Sequence, residues 1–273
     1  MSQESRSGIT GVRWLDELAD PASETPEYVG PMVAERLAHL QSLPARPRGM
    51  LADSDGVIVD VGPGEGVSSM ALAQIAPRAH VIGLEADLLH LRGAWPMCQK
   101  YANLRLGWGA IPGTLSNGNV NADAGRVPVA TLGPGACDVL FSWAGLSRLD
   151  AYHSSAAWAP SVGRACVLVL PEFWRKGVDA LPGAEQAAIR DVCARAGVPE
   201  PSWDRATSLP GFSGFEVWPT DQKLRARGWL LWLSGLFDGS GISFLDTLRD
   251  RRAAEPRFQL AFEVPLEVVL ATK

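Results

Sequence analysis

Two hydrophobic periods alternate along this chain. Val57-Ile58-Val59-Asp60-Val61, His80-Val81-Ile82-Gly83-Leu84-Glu85, Cys137 to Ser142 and Arg164 to Leu170 are short, nearly continuous apolar runs of the kind found in strands covered on both faces. Between the first two, Val67, Met70, Ala71 and Ile75 fall on one helical face, and Pro77 ends that helix. A second helix is predicted through Leu88, Leu91, Trp95 and Cys98. Strand, helix, strand, helix at this spacing argues for a parallel sheet with helices on both sides.

The remaining elements follow from the same reading. Leu104 to Leu106 predicts a third strand, whereas Gly107 to Gly135 is rich in Gly, Asn, Ala and Pro and has weak periodicity. Ala151 to Ala159 reads as helix, and so does Ala184 to Ala196, with Gly197 as its stop. Phe215 to Trp218 and Leu266 to Ala271 are short strand candidates, separated by helical patterns at Leu224 to Phe237 and Phe244 to Arg252. Upstream, Trp14 to Leu18 and then Met32, Val33, Leu37 and Leu40 predict a helical preface. At about 150 residues per domain, 273 residues suit one decorated domain. Its parts are a preface over 1–50, a core over 51–175 and a C-terminal part over 176–273 with a helical insertion at about 222–255.

Composition narrows the class of partner. Apolar residues make up 47% and charged residues 20% of the chain, enough to bury a sizeable core. With 25 Lys plus Arg against 30 Asp plus Glu, the net charge of −5 argues against a nucleic-acid partner. No apolar run approaches the roughly 20 residues of a spanning helix, so no membrane partner is expected. The first residues lack the apolar core of a secretory signal, which predicts a cytoplasmic location. Cys98, Cys137, Cys166 and Cys193 are too widely spaced for a zinc knuckle and read as reduced, buried residues.

The chemistry is carried by Val57 to Glu85. Gly62, Gly64 and Gly66 directly after a buried strand let a ligand approach the backbone, where a Cβ would obstruct it. Glu85 closes the next strand about 20 residues on, where a carboxylate can accept hydrogen bonds from two ribose hydroxyls. The third glycine of a dinucleotide fingerprint would stand where this chain has Val67, and no Gly-Lys-Ser or Gly-Lys-Thr triplet follows for an ATP-type loop.

VDVGPGEG at Val59 to Gly66, Glu85, CDVLFSWAGL at Cys137 to Leu146, RACVLVLPE at Arg164 to Glu172 and the closing LEVVLATK together resemble the class I S-adenosylmethionine-dependent methyltransferases. The layout looks most like branches that methylate small metabolites, including natural products. The resemblance implies a Rossmann-like, mostly parallel seven-stranded sheet, helices on both faces, and a helical lid insertion before the last strand. It implies S-adenosyl-L-methionine as cofactor, with Asp60, Gly62, Pro63, Gly64, Gly66 and Ser68 bordering its methionine part. Glu85 and Ala86 would hold the ribose, Trp108 and Gly109 would lie by the adenine, and Ser142 and Trp143 would flank the sulfonium. Two departures stand out: Leu106-Gly107-Trp108-Gly109-Ala110 lacks the acidic adenine ligand common in the family, and Ser142-Trp143-Ala144 is neither Asn-Pro-Pro-Tyr nor Pro-Cys. The second weighs against nucleic-acid and protein substrates, and no metal is expected.

Methyl transfer from a sulfonium is an in-line displacement that needs alignment and exclusion of water, with a base only for some acceptors. His153, about ten residues past the fourth strand, is the best base candidate, and Glu172 at the end of the fifth is placed to orient the acceptor. His39, His80 and His90 read as structural. Ten tryptophans, including Trp229 and Trp232, suit an apolar or aromatic small-molecule acceptor under a lid, and Tyr28 and Trp14 are candidates to close over the cofactor. A monomer or homodimer is expected. Three alternatives stay open: a methyltransferase fold doing non-methylating chemistry of the pericyclase or isomerase type, an NAD-dependent oxidoreductase, and a non-enzymatic scaffold.

Overall fold

The computed structural model describes residues 8–18, 24, 26–112, 127–145, 148–172, 183–197, 207–227, 250, 254 and 261–273. Ten strands lie among them: β1 (Ile9–Thr10), β2 (Arg13–Trp14), β3 (Val57–Val61), β4 (His80–Glu85), β5 (Leu104–Trp108), β6 (Thr131–Leu132), β7 (Cys137–Trp143), β8 (Val162–Pro171), β9 (Gly214–Arg227) and β10 (Ala261–Thr272). The helices are α1 (Leu15–Leu18), α2 (Val29–Gln41), α3 (Ala45–Ala52), α4 (Val67–Ile75), α5 (Leu88–Arg92), α6 (Trp95–Cys98), α7 (Arg148–Trp158) and α8 (Gly183–Ala196).

Eight strands form one sheet in the order β2-β5-β4-β3-β7-β8-β10-β9, and β1 pairs with β6 in a separate ribbon. The five central strands run parallel, whereas β10 is antiparallel to both β8 and β9. Chain order reverses at β3, which has β4 on one side and β7 on the other. That reversal leaves a crevice beyond the carboxyl ends of β3, β4 and β7.

Alternation along the strands sorts the core into two layers. Val59, Val61, Ile82, Leu84, Leu140 and Leu168 pack on one face with Trp158 of α7 and with Ile189, Val192 and Cys193 of α8. Ile58, Val81, Val139, Phe141, Val167 and Val169 pack on the other with Leu40, Leu51, Ala71 and Leu72 of α2, α3 and α4. The mostly parallel sheet between helical layers is as expected, and all four cysteines are buried and outside any disulfide. Burial alone raises the Cys98 thiol to about 12. At the opposite edge of the sheet, the connection from α4 into β4 is tied down by Asn103, whose amide donates to the carbonyls of Ala73, Ala76 and Ala79.

Three departures from the sequence reading stand out. Trp14, expected to open a helix, instead forms with Arg13 a strand that pairs antiparallel with Gly107 and Trp108 and makes the sheet eight-stranded rather than seven. Gly107 permits this, because a Cβ there would already sit 3.3 Å from the Trp14 ring. The helix expected from Leu88 to Cys98 breaks at Gly93 into α5 and α6, the second with Pro96 in its first turn. Strand β9 is 14 residues long and takes in Leu224 to Arg227, the start of an expected helix. A ladder against β10, from Thr272 opposite Gly214 to Ala261 opposite Arg227 with one irregularity between Pro265 and Glu267, offers that backbone long-range partners in place of a helical start. The rest of that expected helix, with Trp229 and Trp232, and all of Phe244 to Arg252 except Asp250, lie outside the described residues. Asp250 and Ala254 are helical. No helix among the described residues is long and apolar enough to cross a membrane.

Candidate functional site

The glycine turn sits at the point of strand reversal. Gly62, Gly64 and Gly66 all have positive φ, at 70°, 58° and 76°, a region that disfavours any side chain. Two of them do different work. Around Gly64 there is open space where a Cβ would project, so the turn presents bare backbone to the crevice. At Gly62 a Cβ would lie 2.8 Å from the Cα of Gly145, because the loop after β7 rests directly on the turn. The N–H of Gly62 donates to the carbonyl of Leu84 at 2.9 Å, which ties the turn to β4 as well.

Two buried carboxylates flank this turn. Glu85, the last residue of β4, accepts the N–H of Gly64 on Oε2 and the N–H of Asp87 on Oε1, both at 2.8 Å. Its carboxyl is raised above the usual range by burial, while these two amides and the charge of His90 pull the other way. Asp60 in β3 accepts Ser68 Oγ at 2.6 Å and Ser69 Oγ at 2.7 Å, both on Oδ2. Its Oδ1 is buried with no hydrogen-bond partner among the described residues. A polar atom left this way normally marks a missing ligand or water.

Burial raises Asp60 from an ordinary 3.8 to about 6, against the pull of Ser68, Ser69 and Arg36. The folded chain therefore holds this proton more tightly than the unfolded chain does. The stability it confers is complete below about pH 4 and is lost as pH rises through about 6, a change on the order of 3 kcal/mol for two pKa units. Asp60→Asn should flatten that part of the profile, so that its stability relative to the parent grows from pH 4 to 6.5 and then levels off. Urea unfolding across that range is the check, and parallel profiles would exclude Asp60 as the titrating group.

Helix α2 covers the turn. The Tyr28 hydroxyl, just before it, donates to Oε1 of Glu65 within the glycine turn. One turn apart on α2, Arg36 lies 3.7 Å from the centre of the Trp143 ring and His39 stacks on the same indole at 5.7 Å. Burial lowers both Arg36, to about 10, and His39. Between helix and turn is a cavity of about 280 Å³, lined by Met32 and Arg36 from α2, the turn from Gly62 to Glu65, Val67 and Ser68 of α4, His90 of α5 and Trp143 of β7. A second cavity of about 280 Å³ lies along β5 and β4, lined among others by Trp14, Asp16, Trp95 and Tyr101, and does not include the turn.

The structure thus brings together Gly62, Pro63, Gly64, Ser68 and Trp143 around one cavity, with Asp60 and Glu85 bonded to its wall. Gly66 caps the start of α4 with its carbonyl bonded to Met70 N–H. Ala86 gives its carbonyl to Trp108 Nε1 at 2.9 Å, and Gly109 N–H donates to the Glu85 carbonyl at 2.9 Å, so these three brace the Glu85 end of the crevice without lining the cavity. Ser142 is fully buried and donates to the Val61 carbonyl at 2.8 Å, joining β7 to β3. Glu172 follows β8 in a turn and donates its N–H to Pro265. His153 falls within α7, and its side chain lies outside the described residues. Of the two expected lid residues, Tyr28 reaches the turn, whereas Trp14 is committed to the sheet edge.

Arg36, Glu65 and His90 were not anticipated in the site. His90 had read as structural. For Arg36 a signal existed: it is a cation set inside the apolar stripe of Met32, Val33, Leu37 and Leu40, where a charge needs a specific partner.

No family model matches the chain, and no curated protein matches it. Solved structures similar to it include the YcgJ protein from Bacillus subtilis, at 13% identity over 88% of this chain and 98% of that one, with a TM-score of 0.43. Precorrin-6y C5,15-methyltransferase from Geobacter metallireducens is 12% identical over 92% and 94%, with a TM-score of 0.38. Geranyl diphosphate C-methyltransferase from Streptomyces coelicolor, solved with S-adenosyl-L-homocysteine, is 13% identical over 96% and 86%, with a TM-score of 0.41.

Proposed function

We propose that this chain is an S-adenosylmethionine-dependent methyltransferase acting on a small, apolar or aromatic acceptor. The observation that carries the reading is the charge of the glycine turn. Asp60, Glu65 and Glu85 surround it, and the dinucleotide alternative would have to seat a pyrophosphate there against three carboxylates. A nucleoside bearing a sulfonium and an ammonium suits the same surroundings. Asp60 Oδ1, buried and unpartnered among the described residues, fits an ammonium donor, and the open face of Gly64 fits close approach of a ligand backbone.

S-adenosylmethionine supplies a methyl group on sulfur that an acceptor lone pair or carbanion can take by in-line displacement. The chain's own residues position and enclose. Glu85, held by two backbone amides, offers its remaining lone pairs to a vicinal diol. Helix α2, fastened through Tyr28 and Trp143, walls the cavity on the side facing the turn. His153 and Glu172 are the candidate groups toward the acceptor, the first as base and the second for orientation.

Calorimetric titration with S-adenosylmethionine, S-adenosylhomocysteine and NAD tests this reading. Micromolar-range binding of the sulfur nucleosides without NAD is the expected result, followed by release of S-adenosylhomocysteine on turnover with an acceptor. Binding of NAD alone would replace the reading with a hydride-transfer enzyme.

A further inference from the structure

The second cavity, about 280 Å³, lies away from the glycine turn and takes in the first residues of three parallel strands, Val57, His80 and Leu104. The turn follows the last residue of β3, so at about 3.3 Å per residue the two sites stand roughly 15 Å apart along the strands. The wall of the cavity is mostly apolar and carries three aromatic side chains, Trp14, Trp95 and Tyr101. Strand β2 pairs with β5 only at Gly107 and Trp108, so among the described residues no strand continues the sheet beside Leu104 to Leu106, and the cavity occupies that notch. A space of this size, at the lower end of small-molecule pockets near about 300 Å³, suits one or two rings.

Arg105, in the wall, sets the charge of what would fit. Its guanidinium lies 4.0 Å from the centre of the Trp14 ring and meets Asp16 through Nη2 alone, at 3.1 Å to Oδ2 and 3.4 Å to Oδ1. Its Nε and Nη1 make no hydrogen bond among the described residues. Stacking uses the flat face of a guanidinium and leaves its edge for a two-pronged pair with a carboxylate. Asp16 does not complete such a pair, and with its side chain 46% exposed against 26% for Arg105 it stands on the solvent side. An exposed ion pair of this kind is weakly held, and a ligand anion can displace it. The geometry points to a second small-molecule site, in which an aryl carboxylate lays its ring against the aromatic wall and sets its carboxylate on Arg105 in place of Asp16. A ligand seated there does not reach the glycine turn, so this site is separate from the cofactor site proposed above and does not depend on that reading.

The test uses naphthoate and naphthylmethanol, which has a hydroxymethyl group in place of the carboxylate, titrated calorimetrically into the full chain. The parent should prefer naphthoate by on the order of 10- to 100-fold. Arg105→Met, which keeps a stem on Trp14, should lose that preference while binding naphthylmethanol as before. Asp16→Asn should tighten naphthoate by about 2- to 5-fold, because it removes the internal competitor for the guanidinium. A merely structural Arg105–Asp16 pair would shift both variants in one direction and both ligands alike, and that result overturns the inference. Absence of naphthoate binding to the parent overturns it too, as does displacement of naphthoate by saturating S-adenosylhomocysteine, which would put the probe over the glycine turn. If S-adenosylhomocysteine itself does not bind, the cofactor reading falls, and the opposite responses of the two variants still decide this inference.

Discussion

Replacing Glu85 by alanine should lower the affinity for S-adenosylhomocysteine by at least about 100-fold while leaving the chain folded. The carboxylate is asked to do two things at once. It holds the glycine turn in place through Gly64 N–H and the start of the following loop through Asp87 N–H. Its remaining lone pairs are charged acceptors at the end of β4 for a ribose diol, and hydrogen bonds to a charged group are worth about 1.5–3 kcal/mol each. Two such bonds correspond to 100-fold or more. The fold should survive, because the residues that hold β4 in the core are Val81, Ile82 and Leu84, and the amides freed in the variant face an open crevice where water can reach them. Calorimetry alongside circular dichroism measures both halves. Retained affinity in a folded variant would reduce Glu85 to a strut of the loop.

A single methyl group at Gly145 should be nearly as damaging, by a different route. A Cβ there would fall 2.5 Å from the carbonyl oxygen of Val61, 2.7 Å from that of Gly62 and 2.8 Å from the Cα of Gly62. All three are backbone atoms, so no rotamer change relieves the overlap. Either the loop after β7 or the glycine turn must move. Overpacking that forces backbone shifts costs typically 1–3 kcal/mol, and Gly145→Ala is expected near 3 kcal/mol by urea unfolding. Because Trp143 and Gly62 both wall the cavity, cofactor affinity should fall with it. Ala144, between Trp143 and Gly145, already has a positive φ of 53°, unusual for a residue with a side chain, so the loop has little slack to absorb the displacement. Gly64→Ala is the contrasting variant: its Cβ meets no atom of the described residues within 4 Å, so among them its strain is confined to its own φ of 58°, and any loss of binding beyond that strain reports a ligand filling that space.

The pattern of the core was legible because buried strands and glycine turns have local signatures. Val57–Val61 and His80–Glu85 are strands to the residue, and the helix from Val67 to Ile75 has its expected ends. Glu85 was found because it stands one strand and one helix after the turn. Where local and long-range forces compete, the sequence misled. Trp14 reads as helical beside Leu15 to Leu18, but the edge of β5 takes Arg13–Trp14 as a strand. Leu224–Arg227 reads as helical too, although Lys223, Arg225 and Arg227 also alternate with Leu224 and Ala226, and pairing with β10 decides between the two periods.

The amino-acid sequence by itself determined the parallel core, the glycine turn and the carboxylate at the end of β4, since each depends on neighbours within about 30 residues and on periodicity, which a one-dimensional pattern records. Only the tertiary structure decided what faces that turn. Arg36, His39 and Trp143 are more than 100 residues apart in part, and nothing local distinguishes an arginine stacked on an indole over a cavity from one in water. The same holds for Gly145, whose role is to let two loops touch. Contacts between distant segments arise from how the helices pack on the sheet, and that packing sets Arg36 and Trp143 beside the glycine turn around one small cavity.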